Sequence, residues 1–443
     1  MIRILQFWYN AAVVVFFPLI MVGLALRYRA RFFKHCFENF SQRMGKLPLN
    51  FAESITGNVI WLHAASVGEL VMLKPLIHEL KTRFLNHHLI ISTITPEAYR
   101  MAVTSHLGEY VVYAPIDLVW PVRRAVRKIR PKLLLLAEAE FWPNLIIESA
   151  QTGTIIGVVN TRISDKAFRF MRLVRWWYRI LLSQVTFFAA RDEEDRQRVI
   201  SFGIEKDRVV LTGNIKYDAV SVPRIAEHGL QQIYQRFSVP NNVPVIVFGS
   251  VHHAEIRMTR DSVKRLMDEF RSLHILIAPR HIEHVSLISR HLDSAGIPWR
   301  LFSTVNSTDH KDGSRIVIID TIGDLVTAYR IAWVVFVGGS LMPKGGQNIL
   351  EPALLEKPVL FGPHMHNFKS SARALIQCGG GVRVNNTQEL ETHCRRFLTN
   401  PQDRYSSGQR AQVAASGLRG ATGKTIQLIR EWYNPDRYLY EKI

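Results

Sequence analysis

From residue 58 onward, short apolar runs alternate with longer stretches in which apolar and polar residues mix at helical spacing. Continuous apolar runs bounded by turns are typical of strands that are buried on both faces of a parallel sheet. Strands separated by helices favour a sheet that is covered by helices on both sides. In the first half, the pattern predicts strands at residues 59–63, 89–92, 111–114, 133–138, 155–159, 186–189 and 209–211.

The second half repeats this pattern, with predicted strands at residues 245–248, 275–278, 299–302, 316–319, 333–337 and 358–361. The fold class we expect is α/β, with two doubly wound, Rossmann-like domains that face a central cleft. In such sheets ligands bind outside the carboxyl ends of the strands. The predicted divisions are an anchor with its basic flank at 1–35, an N-terminal domain at 36–218, a linker at 219–242, a C-terminal domain at 243–425, and a final helix at 426–443 that packs back on the N-terminal domain.

The N-terminus predicts a membrane-anchor helix, because residues 4–26 carry no charge and a bilayer core needs about 20 apolar residues. Arg3 precedes this run, and four basic residues follow it between Arg27 and Lys34. This distribution argues against a cleaved signal peptide and predicts that the bulk of the chain lies on the cytoplasmic side. Spanning the bilayer and dipping into one leaflet both remain open.

The chain is strongly basic, with a formal net charge of +19 and a sequence pI near 10.0. A basic chain favours polyanions, such as anionic lipids or phosphorylated substrates. No nucleic-acid module signature is present, so we expect no nucleic-acid partner. The three cysteines, Cys36, Cys378 and Cys394, are too few and too widely spaced for a disulfide framework or a zinc knuckle. A reducing compartment is therefore expected.

Three acidic residues and one lysine in the first half follow predicted strands. Glu69 opens a helix after the small residues of HAASVGEL, where it could act in the cleft or only complement the helix dipole. Glu138 and Glu140 follow an apolar strand, and alternation predicts that they share one face. They could be functional or belong to a structural network. Lys216 in GNIKYD could neutralise a departing phosphate, or be an ordinary exposed lysine.

The second half places polar residues and glycines after its strands. Arg280 suits phosphate recognition, with a simple surface ion pair as the alternative. Ile322-Gly323-Asp324 forms a tight turn whose backbone could contact a base, or an ordinary strand-to-helix turn. Asn348 and Glu351 could form a capping box, while Glu351 could also bind ribose hydroxyls. No dinucleotide fingerprint or P-loop is present, and the histidine pairs lack a metal-ligand spacing, so no metal or cofactor is expected.

Taken together and in order, these motifs resemble the 3-deoxy-D-manno-octulosonic acid (Kdo) transferase family. The matching segments are HAASVGE (63–69), EAEFWPN (138–144), NTRIS (160–164), GNIKYD (213–218), APRH (278–281), DTIGD (320–324), GGSLMPKGGQNILEP (338–352) and FGPHMHNF (361–368). The resemblance implies a GT-B-type fold, with the acceptor bound by the first domain and CMP-Kdo by the second. It implies that Glu69 is the general base and that Glu138 and Lys216 stabilise the transition state. The implied CMP-binding residues are Pro279, Arg280, Ile322, Gly323, Asp324, Asn348, Ile349, Leu350 and Glu351.

The function implied is inverting transfer of Kdo from CMP-Kdo to a lipid A precursor in lipopolysaccharide synthesis. The implied location is the bacterial inner membrane, with the catalytic domains on the cytoplasmic side and the lipid surface as a partner. The chain departs from the family's usual residues at Glu97, Ala98, Ala139, Val251 and Ala254. The alternatives are a GT-B transferase that uses another nucleotide sugar and a catalytically inactive, membrane-bound lipid-binding protein.

Overall fold

The computed structural model describes residues 2–15, 38–47, 57–219, 227–304 and 314–433. The chain divides into two compact units, Met1–Ala219 with Arg419–Ile443 and Val220–Leu418. Each unit is built on one seven-stranded sheet in which every pair of neighbouring strands is parallel. The predicted α/β class with two parallel sheets is therefore confirmed.

The sheet of the first unit has the order β3-β2-β1-β4-β5-β6-β7. All seven strands predicted in this half form. Their bounds are β1 Asn58–His63, β2 His87–Thr93, β3 Tyr110–Tyr113, β4 Leu133–Ala137, β5 Ile155–Thr161, β6 Phe187–Ala190 and β7 Val209–Leu211.

Side-chain alternation along the strands builds a separate core on each face of this sheet. In β1, Val59 and Trp61 point to one core, and Ile60 and Leu62 point to the other. The helices that cover the two faces are α1 at 2–15, α2 Phe40–Arg43, α3 Val67–Arg83, α4 Pro96–Thr104, α5 Val119–Ile129, α6 Pro143–Gln151, α7 Asp165–Leu173, α8 Arg175–Leu182 and α9 Glu193–Ser201.

The sheet of the second unit has the order β10-β11-β9-β8-β12-β13-β14. Six of its strands were predicted, and β14 was missed because only one of its three residues is strongly apolar. The strands are β8 Val245–Val251, β9 His274–Pro279, β10 Trp299–Leu301, β11 Ile316–Ile318, β12 Val334–Val337, β13 Val359–Phe361 and β14 Gly381–Arg383. The helices are α10 Glu227–Arg236, α11 His253–Glu269, α12 Val285–Asp293, α13 Leu325–Ile331, α14 Leu350–Leu354, α15 Lys369–Gln377, α16 Thr387–Thr399 and α17 Pro401–Gly417.

The last helix, α18 Ala421–Trp432, belongs to the first unit. Its first turn is held by Asp218, whose carboxylate accepts hydrogen bonds from the backbone N–H groups of Gly420 and Thr422, both at 2.6 Å. The helix begins before the predicted residue 426, and residues 434–443 lie outside the described chain. The segment predicted as a linker, 219–242, contains helix α10.

Helix α1 packs against the rest of the first unit, where its polar side chains form hydrogen bonds. Gln6 donates to Asn144 and Glu148, at 3.0 and 2.9 Å, and Tyr9 donates to Asp117 at 2.9 Å. Within the part of the chain that the structure describes, no helix is both long and apolar enough to cross a bilayer. Because residues 16–37 lie outside that part, the predicted membrane anchor stays a prediction.

Candidate active site

Glu69 lies in the first turn of α3, which follows the carboxyl end of β1. Ser66 caps the helix, and its hydroxyl donates to Glu69 Oε1 at 2.9 Å. The backbone N–H of Ala65 donates to Glu69 Oε2 at 2.8 Å. The carboxylate thus folds back over the loop that joins β1 to α3. There it stabilises the amino end of the helix, which agrees with the structural role considered from the sequence. This contact also fixes the carboxylate at the carboxyl edge of the sheet.

Burial changes the acidity of this carboxyl group. Loss of hydration raises the pKa of Glu69, the hydrogen bonds from Ala65 and Ser66 oppose that rise, and the negative charge of Glu138 adds to it. A carboxylate with a raised pKa is a better proton acceptor than an exposed glutamate. The raised pKa of Glu69 is one property that a general base requires.

The strand alternation that was predicted to place Glu138 and Glu140 on one face does not occur. Strand β4 ends at Ala137, and Glu138 adopts the left-handed conformation with φ 50°, so the alternation stops there. The backbone N–H of Glu138 still bonds to Val159 O at 3.0 Å. Its carboxylate lies 3.8 Å from the guanidinium of Arg162, which supplies the compensating charge expected for an acid after a buried strand.

Glu140 is the most strongly perturbed acid of this cluster, although it was not among the predicted catalytic residues. Burial raises its pKa to about 7; the hydrogen bond from Trp142 opposes this, and the charges of Glu69 and Glu138 reinforce it. Trp142 Nε1 donates to Glu140 Oε2 at 2.5 Å. Three carboxyl groups thus interact at the carboxyl ends of β1 and β4. The adjacent E-x-E signal was visible in the sequence, but the raised pKa depends on burial.

His63, the last residue of β1, also faces this cluster. Its Nε2 lies 3.9 Å from Glu140 Oε2, and its Nδ1 lies 2.9 Å from Ser92 Oγ. Full burial lowers the pKa of His63 to about 4. The imidazole is therefore neutral near pH 7, and its approach to Glu140 is a polar contact rather than an ion pair.

Replacing Glu140 with glutamine is expected to stabilise the protein at alkaline pH. The pKa of Glu140 is about 7 in the folded chain, against an ordinary value of 4.5. The wild-type chain therefore loses stability as the pH rises through that window, and the loss is complete above it. The free energy of unfolding of Glu140→Gln should exceed that of the wild type by about 3 kcal/mol at high pH. Below the ordinary glutamate pKa, the difference should vanish.

Urea unfolding of the full chain in detergent, repeated across this pH range, measures the difference. Glu205→Gln, which changes an exposed glutamate of the same unit, is the matched control and should track the wild type at every pH. A pH-independent offset for Glu140→Gln would contradict the raised pKa.

Lys216 lies in a short 3₁₀ turn, Ile215–Tyr217, after β7. The turn packs against α3, the helix that carries Glu69. Asn160 fixes it, because its side-chain oxygen accepts from the N–H of Ile215 at 2.9 Å. The structure therefore brings the segments of Glu69 and Lys216 together within the first unit, and the Lys216 side chain is exposed.

In the second unit, Pro279 and Arg280 lie at the carboxyl end of β9. The N–H of Arg280 donates to Val251 O at 2.9 Å and so joins the ends of β8 and β9. The side chain of Arg280 is exposed, and no carboxylate of the described residues lies within ion-pair distance of it. The surface ion pair considered from the sequence is therefore not observed, and the guanidinium can accept an anion.

The turn at 322–324 presents its backbone to solvent. Gly323 adopts φ 99°, and the Ile322 side chain is 90% exposed. Asp324 plays a different part, because its carboxylate accepts from Arg236 and from Thr321. The Asp324 side chain therefore holds the turn in place, and the backbone at Ile322 and Gly323 is what a ligand could contact.

The segment 348–351 forms only half of the capping box considered from the sequence. The Asn348 side-chain oxygen accepts from the N–H of Leu350 at 3.1 Å, but Glu351 Oε1 accepts from the Asn348 amide at 2.9 Å and not from a backbone N–H. Burial raises the pKa of Glu351. The side chains of Ile349 and Leu350 are fully buried, so only their backbone could touch a ligand.

A buried carboxylate orders the glycine-rich loop that precedes this segment. Glu255 is inaccessible to solvent, and it accepts hydrogen bonds from the backbone N–H groups of Gly339, Ser340 and Leu341 at 2.8 to 3.1 Å. Gly338 leaves no room for a Cβ there, since one would lie 2.8 Å from Glu255 Oε2. Sequence reasoning missed Glu255, because its partners are backbone groups some 80 residues away.

Glu255→Gln should lower the free energy of unfolding by about 3 kcal/mol, since the new amide would face backbone donors. Urea unfolding followed by circular dichroism measures this change. Glu283→Gln removes an exposed acid of the same unit and should leave the stability unchanged. Equal stability of the two variants would show that the loop does not depend on Glu255.

Several histidines cluster beside Arg280, with ring centroids of His252 and His281 5.9 Å apart and those of His281 and His284 5.4 Å apart. Among the described residues, no group of three or more histidine, cysteine or acidic side chains is placed to hold a metal ion.

Two parallel α/β units of this kind, with polar clusters at the carboxyl ends of their strands, define a GT-B-like protein. A crystal structure of a glycosyltransferase from Rickettsia africae superposes with a TM-score of 0.58 and covers 86% of this chain and 100% of its own. The two sequences are 13% identical, so this likeness shows the fold alone.

The sequence comparisons show which proteins this chain resembles. Residues 38–219 match the family model described as 3-deoxy-D-manno-octulosonic-acid transferase (kdotransferase). A 3-deoxy-D-manno-octulosonic acid transferase of Haemophilus influenzae is 26% identical over 437 residues, which are 96% of this chain and 98% of the relative. Another, from Chlamydia pneumoniae, is 28% identical over 383 residues, 85% of each chain. The chain is thus a homologue of the Kdo transferases, and the predicted resemblance and enzyme class are confirmed.

Proposed function

We propose that this protein transfers Kdo from CMP-Kdo to a hydroxyl of a lipid A precursor, with inversion at the anomeric carbon. The observation that carries the proposal is the position of Glu69 beside Glu138 and Glu140 at the carboxyl ends of a parallel sheet's strands, where burial, and to a smaller extent the charge of Glu138, raises the pKa of Glu69. The homologous relatives are named Kdo transferases, which supports this choice of sugar.

In this mechanism, Glu69 accepts the proton of the acceptor hydroxyl while that oxygen attacks the anomeric carbon of Kdo. One C–O bond forms as the C–O bond to the phosphate of CMP breaks, and CMP leaves with the bonding electrons. Attack from the face opposite to CMP inverts the configuration. Glu138 and Lys216 are assigned to stabilising the transition state, with Arg162 balancing the charge of Glu138.

The donor half of the proposal uses the second unit. Arg280 balances the phosphate charge, and the exposed backbone at 322–323 contacts the cytosine. Glu351, with the backbone of 348–350, binds the ribose.

Since the protein's own cations would balance the leaving phosphate, we expect turnover to persist in the presence of a chelator. We further propose that the protein works at the bacterial inner membrane with both units on its cytoplasmic side.

The donor assignment can be tested with the Glu69→Gln variant, which should bind the donor without consuming it. Calorimetry with CMP-Kdo, CMP, UDP and UDP-N-acetylglucosamine should show binding of the two cytidine ligands only. Preferential binding of a uridine ligand would favour a transferase that uses another nucleotide sugar. Absence of binding by every nucleotide would favour a lipid-binding protein without catalysis.

A further inference from the structure

Helix α5 carries a tryptophan and several cations on its outer face. Trp120, Arg123, Arg124, Arg127 and Lys128 recur at helical spacing, whereas the intervening residues Pro121, Val122, Ala125, Val126 and Ile129 are buried. Trp120 is 55% exposed. The helix therefore has a strongly basic surface that also presents one large aromatic ring.

Within the described residues, Arg123 is the one cation of this helix face that has an acidic partner. Glu148 is committed to Arg123, which donates to it at 2.8 and 3.1 Å, and also accepts from Gln6. For Arg124, Arg127 and Lys128, no carboxylate lies within ion-pair distance in the described ranges. Uncompensated cations on one helix face attract an anionic partner.

The cations line concave surfaces that could receive a headgroup. A cavity of about 880 Å³ extends from Trp120 to Arg130, and a neighbouring one of about 690 Å³ lies between α5 and α1. Trp120, Arg123 and Arg127 line both cavities, and Arg3 of α1 lines the second. We call this continuous surface the α1–α5 groove.

The α1–α5 groove is bordered by exposed apolar side chains of α1. Phe7 and Trp8 are each 66% exposed, and Val14 and Val15 are also exposed. The sequence that follows α1 continues without charge to residue 26. An apolar, aromatic helix face beside a basic groove is typical of a surface that lies in the headgroup region of a membrane.

This groove is separate from the candidate active site. Its larger cavity includes Gly57 and Val59, at the amino end of β1, whereas Glu69 follows the carboxyl end of the same strand. The two sites therefore lie at opposite ends of the same strand, and a ligand in the groove does not occupy the place of the acceptor hydroxyl.

We propose that the α1–α5 groove binds the phosphate of an anionic membrane phospholipid and so sets the first unit on the bilayer. Arg124, Arg127 and Lys128 bind the phosphate, because guanidinium and ammonium groups form charge-assisted hydrogen bonds with it. Trp120, Phe7 and Trp8 contact the region between headgroups and acyl chains, where tryptophan is enriched. The proposal does not depend on which sugar the enzyme transfers.

The test uses the full chain in a neutral detergent, with lipid binding measured by native mass spectrometry. Phosphatidylglycerol should bind the wild type at least about tenfold more tightly than phosphatidylcholine with the same acyl chains. The triple variant Arg124→Gln, Arg127→Gln, Lys128→Gln should lose this preference. A matched control, Arg419→Gln, Lys424→Gln, Arg430→Gln, removes the same charge from exposed positions around α18 and should retain it.

Equal affinity of wild type and triple variant for phosphatidylglycerol would overturn the proposal, as would equal binding of both lipids by the wild type. Displacement of the lipid by millimolar inorganic phosphate, or by an RNA oligonucleotide at lower concentration, would identify a different occupant and overturn it too. Turnover of the triple variant in lipid-free micelles should equal that of the wild type. Lost turnover in these micelles would place the three cations in the catalytic machinery and contradict the proposal. If the enzyme proved to transfer a sugar other than Kdo, the lipid-binding result would still stand.

Discussion

The Glu69→Gln variant is expected to turn over about 10³-fold more slowly than the wild type, within the range that positioned general bases contribute. Glutamine keeps the shape of the side chain, and its amide can still bond to Ala65 and Ser66, which hold Glu69 in the native chain. It cannot accept the proton of the acceptor hydroxyl. The loss should therefore appear in kcat, with little change in the affinity for CMP.

Steady-state kinetics with CMP-Kdo and a lipid A precursor measure kcat, and calorimetry measures the affinity for CMP. Glu205→Gln, the exposed control on the same unit, should retain wild-type kcat. A Glu69→Gln enzyme with normal kcat would remove Glu69 from the role of base. A lost affinity for CMP would show that the substitution had disturbed more than proton transfer.

The Arg280→Ala variant should bind CMP about 10- to 100-fold more weakly, because a charge-assisted hydrogen bond to the phosphate is lost. No carboxylate of the described chain competes for this guanidinium, and the Arg280 backbone is fixed by its bond to Val251. The substitution should therefore cost ligand affinity with little effect on folding. Isothermal titration of CMP and a thermal unfolding curve measure the two effects.

Arg280→Lys should fall between the wild type and the alanine variant, since lysine keeps the charge but not the planar fork. Arg290→Ala, at an exposed site on the same unit, should leave the affinity for CMP unchanged. If Arg280→Ala bound CMP as the wild type does, the phosphate would have to be bound elsewhere.

The strand pattern was predictable because buried parallel strands are nearly continuous apolar runs. Strand β4, with four consecutive leucines that are fully buried, is the clearest case. Strand β14 shows the limit of this signal, since Gly381 and Arg383 leave Val382 as its single strongly apolar residue. Its pairing with β13 depends on the surrounding fold and not on its own composition.

The motifs of the candidate site were visible in the sequence, but their local geometry was not. Alternation failed at Glu138 because the chain leaves the strand one residue earlier and turns to a positive φ. The spacing of residues along the sequence did not reveal that Ile349 and Leu350 are buried. It also did not reveal the hydrogen bond from Arg236 to Asp324. The perturbed pKa of Glu140 likewise arises from burial and from neighbours that only the fold brings together.

Mass spectrometry of the products formed by the purified full chain tests the central claim most directly. With CMP-Kdo and a lipid A precursor, the wild type should yield CMP and an acceptor heavier by at least one Kdo residue, while Glu69→Gln should form both about 10³-fold more slowly. The same mass increase from the Glu69→Gln enzyme, at the wild-type rate, would contradict the account, and so would an unmodified acceptor after prolonged incubation with the wild type.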